Sequence, residues 1–305
     1  MSTSTTVPAE DATSTGTPAP VRARRRPARQ RVGALLWLLA MVLLTALVLY
    51  PLVWLVFASF KPSPEFGQNR GLLPDEPTVD NFIKVVQGIA GTPLWRYFAN
   101  SLLIAGLSVI GTVMSSAMAA YAFARVQFVG ARIFFAAMIG TLLLPFHVLL
   151  IPQYIIFQRL DLVDTYVPLI LPKFLAIEAF FVFLMVQFIR GLPRELDEAA
   201  RIDGAGHFRT FVSIILPLIR PAVITSSIFA FIWTWNDFLS PLLYVTSPEK
   251  YPLPIALRLY NDATSTSDYG ATVAVSLLAL LPVLLFFIVF QRFIVTGVAT
   301  QGLKG

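Results

Sequence analysis

Residues 32–60 carry no charged side chain, and neither do residues 97–124, 133–157 and 269–291. Residues 165–189 are apolar apart from Lys173 and Glu178, and residues 218–245 hold Arg220 near one end and Asp237 near the other. Each run supplies the roughly 20 residues that a helix needs to cross a bilayer core. None alternates with period two, which argues against a closed β-barrel. Only 13% of the chain is charged, against about 25% in soluble domains, so lipid is the main solvent. The expected fold is an all-α polytopic membrane protein with six transmembrane helices, at about 33–60, 97–124, 133–157, 165–189, 218–245 and 269–291.

Residues 1–31 are of another kind. Rich in Ser, Thr, Ala, Pro and Arg, they offer little to bury and are expected to form a disordered basic tail. Arg22, Arg24, Arg25, Arg26, Arg29 and Arg31 against Glu10 and Asp11 give this segment +4 of the net charge of +6. Basicity so localised reads as a topology signal and not as nucleic-acid binding. The charge-free run behind it far exceeds the about 7–15 residues of a signal-peptide core, so it reads as an uncleaved first span. With the N-terminus inside, the inner segments hold 15 Lys and Arg residues and the outer segments 8. Both termini are then expected to be cytoplasmic, and residues 32–305 to form one transmembrane domain. The second run has small residues at helical spacing, Gly111, Ser115 and Ala119 with Ser116 and Ala120 alongside, which suits close helix packing in lipid. The chain has no cysteine, which excludes disulfides, cysteine-ligated zinc and a cysteine nucleophile.

Between the fourth and fifth runs lies a compact polar block, residues 190–217. RELDEAARID predicts a short helix: Pro193 suits a first turn, Glu195, Asp197 and Glu198 sit near the positive end of the dipole, and Arg194 with Glu198 and Asp197 with Arg201 lie four apart. Gly204 and Gly206 stop it and allow a sharp turn. A second short helix resumes near His207, with Phe208, Phe211, Ile214 and Ile215 on one side, and gives way to the fifth span at Pro217. The block reads as a helix–turn–helix elbow on the cytoplasmic membrane surface, with Ala199 and Ala200 as a small-residue face for a bulky neighbour.

The spacing of this block resembles the signature of the transmembrane permease subunits of bacterial ABC importers. That signature is E-A-A, three residues, G, nine residues, I, one residue, L-P, and here it is Glu198-Ala199-Ala200, Gly204, Ile214, Leu216 and Pro217. Asp203-Gly204-Ala205, FIWTWNDFLSPL at 231–242 and the closing QRFIVTGVATQGLKG look like the carbohydrate branch, and within it like the maltose-type second permease. The resemblance covers about residues 33–305. One departure is Val186, where that family often has arginine. The resemblance implies that Glu198, Ala199, Ala200, Asp203, Gly204, Ile214, Leu216 and Pro217 couple the chain to a cytoplasmic ATPase. It also implies the partners: a second permease subunit, two ATPase subunits, an extracytoplasmic substrate-binding protein and the lipid of a bacterial inner membrane. ATP and magnesium would belong to the ATPase, with no cofactor on this chain.

The chain's own residues agree with that division of labour. There is no G-x-x-x-x-G-K-[ST] phosphate loop, no H-E-x-x-H around His147 or His207, and no nucleophile–base set, so the chain is not expected to be an enzyme. Glu178 lies 12 residues before Arg190, about 18 Å of helix from the inner face. An ionisable group at that depth must face protein or water; it either lines a path or pairs with a neighbour such as Lys173. Trp233, Trp235, Asn236 and Asp237, with Asn100 more weakly, offer the aromatic faces and polar groups that bind sugars, although an aromatic belt would have the same composition. The polar loop at about 246–270 is expected to meet the binding protein. The expected function is a permease forming the path for a sugar or oligosaccharide. The alternatives are a permease of the same kind for a non-sugar solute, or an ion-coupled secondary transporter working alone.

Overall fold

A computed structural model of the chain describes residues 28–68, 71–262 and 268–299. The chain divides into two compact units, Met1–Pro51 and Leu52–Gly305. In the first, the described residues form the beginning of helix α1 (Ala28–Ala58), whose stretch Gly33–Ala58 is long and apolar enough to cross a membrane. This helix starts inside the segment expected to be a tail; residues 1–27 of that tail lie outside the described residues.

In the second unit every regular element among the described residues is a helix. A short α2 (Asp80–Gln87) precedes the long α3 (Leu94–Arg125). There follow α4 (Ala131–Thr141), α5 (Phe146–Arg159), the single turn α6 (Val167–Ile170) and α7 (Ala179–Arg190). The polar block supplies α8 (Glu195–Ile202), α9 (His207–Thr210) and α10 (Leu216–Leu218). The chain ends with α11 (Arg220–Trp235), α12 (Leu239–Tyr244), α13 (Leu253–Asp262) and α14 (Tyr269–Ala299).

Among the described residues four helical stretches can cross a membrane by length and composition, Gly33–Ala58, Leu94–Arg125, Val167–Arg190 and Tyr269–Gln291; a fifth is reached if the bent pair His207–Leu218 and Arg220–Trp235 counts as one. Three of the six runs expected to span are not single continuous helices. The run at 133–157 folds as α4 and α5, parted by Leu142–Pro145. Pro145 has no N–H to give Thr141, and its ring crowds that carbonyl. The run at 165–189 is also interrupted: α6 passes into a 3-10 turn, Leu171–Leu175, and Ala176 takes a left-handed φ of 54° before α7 begins. The run at 218–245 breaks at Asn236–Phe238 and resumes as α12. A charge-free run shows that a segment tolerates lipid; it does not show that the segment is one rod.

Helix α3 is the axis of this unit and packs against α7, α11 and the 3-10 turn. Its small residues do what their spacing predicts. Ala117, Ala120 and Ala124 are buried in one cluster with Val182, Met185, Val186 and Ile189 of α7. Gly111 and Ser115 seat the non-helical segment: a Cβ on Gly111 would stand 2.6 Å from the Phe174 ring, and the Ser115 hydroxyl donates to the Lys173 carbonyl at 2.8 Å. Gly111→Leu should therefore push the 171–175 segment away and destabilise the protein by about 1–3 kcal/mol, read as a lower melting temperature in detergent.

At the other faces of α3 the loops are fastened by charge. The Asp164 carboxylate accepts from the backbone N–H groups of Thr246 and Ser247, both at 2.9 Å, and from Lys250 Nζ at 2.7 Å. Burial alone would raise this carboxyl, but the bonds from Lys250, Ser247 and Thr246 outweigh it and hold it well below the usual carboxylate range. A depressed folded pKa stabilises above the unfolded value of about 3.9 and loses that contribution as pH falls through the folded one. Asp164→Asn should lower the melting temperature at pH 7, and the gap to wild type should shrink as the pH drops below about 4.

Candidate functional site

The polar block folds as a two-helix elbow, and its turn is built by one glycine. At the end of α8, Gly204 takes φ 76°. Its N–H donates to the Arg201 carbonyl at 3.0 Å and the Ala205 N–H to the Ala200 carbonyl at 2.8 Å. This is the paired 5→2 and 6→1 closure of a Schellman cap, which satisfies carbonyls that α8 leaves open. Gly206, with φ −73°, has no such requirement. Ala200 is buried and closes the cap, so it belongs to the elbow's inside, whereas Ala199 is exposed. Glu198, Asp203 and Pro217 are also exposed, while Ile214 and Leu216 are half-buried. Two large apolar side chains crown the turn, Ile202 at 87% exposure and Phe208 at 73%.

Beyond the turn, Thr210, Phe211, Ile215 and Ile219 carry the buried face. The expected placement of Phe208 on that face is not what forms. Residues Phe211–Ile215 are wound as a π-helix, and the helix breaks at Ile219 so that α11 departs at 78° from the elbow's second helix. Two prolines four apart explain both. Pro217 lacks the N–H that Ser213 would receive and forces the wider π turn beneath it, and the Pro221 ring collides with the Pro217 carbonyl in any straight helix.

The elbow is also tied to α3. Arg125 Nε stands 3.1 Å from Asp197 Oδ2, with the two side chains only 5% and 14% exposed, and Arg125 NH2 donates to the Leu192 carbonyl at 2.8 Å. Tyr121 Oη lies 3.4 Å from His207 Nδ1. Asp197 thus pairs across to α3 and not with Arg201, and Arg194 and Glu198 form no ion pair. The close partner wins because it is buried, where a charge must be compensated.

A second feature is a cavity of about 480 Å³ lined by the interrupted segments. Thr141 ends α4, Leu142 and Leu144 come from the break between α4 and α5, and Pro172, Lys173, Ile177 and Glu178 from the break before α7. Non-helical backbone at membrane depth is tolerated where it is buried in protein or lines a water-filled cavity, so breaks and cavity belong together. Glu178 is the residue before α7 and pairs with Lys173, each about one-fifth exposed. Trp233 is 48% exposed and packs on Phe180 and Phe181. Asp237 lines the cavity while accepting the Ser240 N–H at 3.1 Å.

The other three expected path residues stand elsewhere. Trp235 is buried, stacks on Phe231 and donates its indole N–H to the Ala279 carbonyl at 3.1 Å. Asn236 bonds back to the Ile232 carbonyl, and Asn100 bridges the carbonyls of Glu249 and Tyr251. Helical spacing separates Trp233 from Trp235 by about 200°, which sends one to the cavity and the other to the core.

Residues 111–299 match the family model for binding-protein-dependent transport system inner membrane components. The chain belongs to this family. It is an ABC importer permease, a multi-pass inner-membrane protein and not an enzyme. The permease is 36% identical over 282 residues to an arabinooligosaccharides transport system permease protein of Halalkalibacterium halodurans, covering 91% of this chain and 99% of that one. It is 32% identical to a diacetylchitobiose uptake system permease protein of Streptomyces coelicolor, covering 86% of each. It is 29% identical to a trehalose/maltose transport system permease protein of Thermococcus litoralis, covering 89% and 97%. The fold is similar to that of a chain in the crystal structure of a bacterial ABC transporter that imports alginate, with a TM-score of 0.76 at 21% identity over 88% of this chain and 99% of that one.

Several residues of the permease escaped the sequence reading. Gln153, Thr234 and Tyr244 line the cavity. Gln153 had a signal, since an amide beside Pro152 is conspicuous in a charge-free run; Thr234 and Tyr244 had none. Arg125 passed as a flanking charge that fixes orientation, because nothing local distinguishes an arginine at a membrane surface from one that pairs 72 residues away with Asp197.

Proposed function

We propose that this permease forms, with a second permease subunit, the transmembrane path for a sugar or oligosaccharide, and that residues 190–217 couple the path to ATP hydrolysis on a separate ATPase. The observation that carries the reading is the elbow: a capped helix whose signature residues Glu198 and Ala199 stand exposed beside Ile202 and Phe208. A charge and a small residue next to two exposed apolar side chains make a surface for a protein, and Arg125 of α3 ties it in place. The ATPase seats this surface, Gly204 sets its turn, Asp203 faces the same partner, and Ile214, Leu216 and Pro217 hold the elbow against the fifth span.

The relatives' names supply the solute class, since those quoted above name arabinooligosaccharides, diacetylchitobiose and trehalose or maltose. The cavity suits it: about 480 Å³ lies within the usual size of small-molecule sites, about 300–1,000 Å³. Trp233 offers an aromatic face, and Glu178 and Asp237 accept hydroxyl protons. Six passes place both termini in the cytoplasm, with α4 and α5 together making the third crossing. An extracytoplasmic binding protein delivers the solute to the opposite side, at the segment of about 246–270, which contains α13 and of which residues 263–267 lie outside the described residues.

The test is affinity purification from the native membrane in mild detergent. Wild type should bring down an ATPase, a second permease and a binding protein, and Glu198→Ala should lose the ATPase. A wild-type chain that purifies alone and stable would sink the reading in favour of a secondary transporter.

A further inference from the structure

Coupling requires the elbow's displacement to reach the spans, and besides the chain that enters from α7 the structure offers two routes. One is the covalent route from α9 into α11. That route is interrupted by the π turn at Phe211–Ile215 and by the break at Ile219, where the chain bends by 78°. With Pro217 and Pro221 four residues apart, two i→i−4 bonds one turn apart, to Ser213 and to Pro217, cannot form there. A helix lacking those bonds bends more easily than it pushes.

The other route is lateral, into the last turn of α3. Two α3 residues one helical turn apart, Tyr121 and Arg125, reach three parts of the block. Arg125 holds the Leu192 carbonyl at the entry and the Asp197 carboxylate on α8, and Tyr121 meets His207 on α9. The two side chains are mostly buried, so parting them leaves a charge short of its partner. Tyr121 also packs on Phe211, with ring centroids 5.2 Å apart.

Building on the coupling reading above, we propose that the elbow moves as one body with α3, that the Arg125–Asp197 pair is the positioning contact that makes it do so, and that residues 211–219 yield too easily to carry the motion themselves. Helix α3 carries the motion onward to the cavity, because Ser115 and Gly111 on its face seat the 171–175 segment that bears Lys173.

The chain has no cysteine, so paired labels can be placed cleanly. In the full transporter, reconstituted with cysteine-free partners, spin labels at Gln127→Cys and Glu195→Cys should report the same separation in the nucleotide-free and ATP-trapped states. Adding Asp197→Asn, which keeps the side-chain volume and leaves the exposed elbow face intact, should broaden that separation. The variant should keep its ATPase subunits yet import about tenfold less solute per ATP, within the about 5–150-fold typical of coupling between sites. The reversed pair, Arg125→Asp with Asp197→Arg, should recover part of the yield. A separation that changes with nucleotide in the unsubstituted pair overturns the proposal, as does a wild-type yield per ATP in Asp197→Asn. Loss of the ATPase from Asp197→Asn also overturns it, because the pair would then serve docking. If wild type itself imports nothing on ATP, the coupling reading fails and this inference with it.

Discussion

Gly204→Val should strip the ATPase from the permease, lowering both co-purified ATPase and ATP-driven import by more than about tenfold, a change of about 1.4 kcal/mol or more. The reason is conformational. Gly204 sits at φ 76°, where a β-branched residue is an outlier, and each L-residue forced there costs about 1–2 kcal/mol. No neighbouring atom lies within 4 Å of a Cβ placed on it, so space is not the constraint. Valine relieves its strain by leaving the left-handed region. It then breaks the bonds that close the turn, from Gly204 to Arg201 and from Ala205 to Ala200, and swings Glu198 and Ala199 away from Phe208. Gly204→Asn is the control: asparagine tolerates this conformation while adding a larger polar side chain, and it should stay within about threefold of wild type. Equal loss in both variants would mean that the partner needs bare backbone at this point, and the conformational account would be abandoned.

Glu178→Gln should cut import about tenfold or more while leaving the assembled complex intact. The substitution removes the partner of Lys173, whose ammonium lies in the same cavity. On insertion scales an unpaired charge at the centre of a spanning helix costs about 2.5–3.5 kcal/mol, and part of that is offset here because the cavity admits water. The double variant Lys173→Met, Glu178→Gln removes both charges and should regain thermal stability. It should not regain import, because the solute then meets neither carboxylate nor ammonium at that wall. Import measured in proteoliposomes beside melting temperature separates the two roles. Full import by the double variant would reduce Lys173 and Glu178 to a structural ion pair.

Much of the permease is legible in its residue order, and the illegible remainder has a common cause. The all-helical architecture, the second run as α3 and the elbow as two short helices around Gly204 follow from local rules: absence of charge, capping residues and turn chemistry. The breaks at Leu142–Pro145 and at 171–178 were hidden because hydrophobicity reports solvent and not helix continuity, although Pro145 and Pro172 stood in view. Of the six residues expected along the path, Glu178, Trp233 and Asp237 line the cavity while Trp235, Asn236 and Asn100 make bonds of their own. Their chemistry was alike; the direction of each side chain was not readable.

By itself the sequence determined that the chain lives in lipid, that a capped polar elbow interrupts it, and which family the spacing of that elbow matches. These are properties of short windows, fixed by transfer free energy and backbone geometry. Only the tertiary structure decided that Asp197 answers to Arg125 and not to its helical neighbour Arg201, that Lys173 and Glu178 share a cavity with Trp233 and Asp237, and that the chain bends by 78° between Pro217 and Pro221. Such choices compare partners far apart in the chain, and burial sets the outcome, because a charge or a carbonyl removed from water takes whichever partner the packing brings within reach.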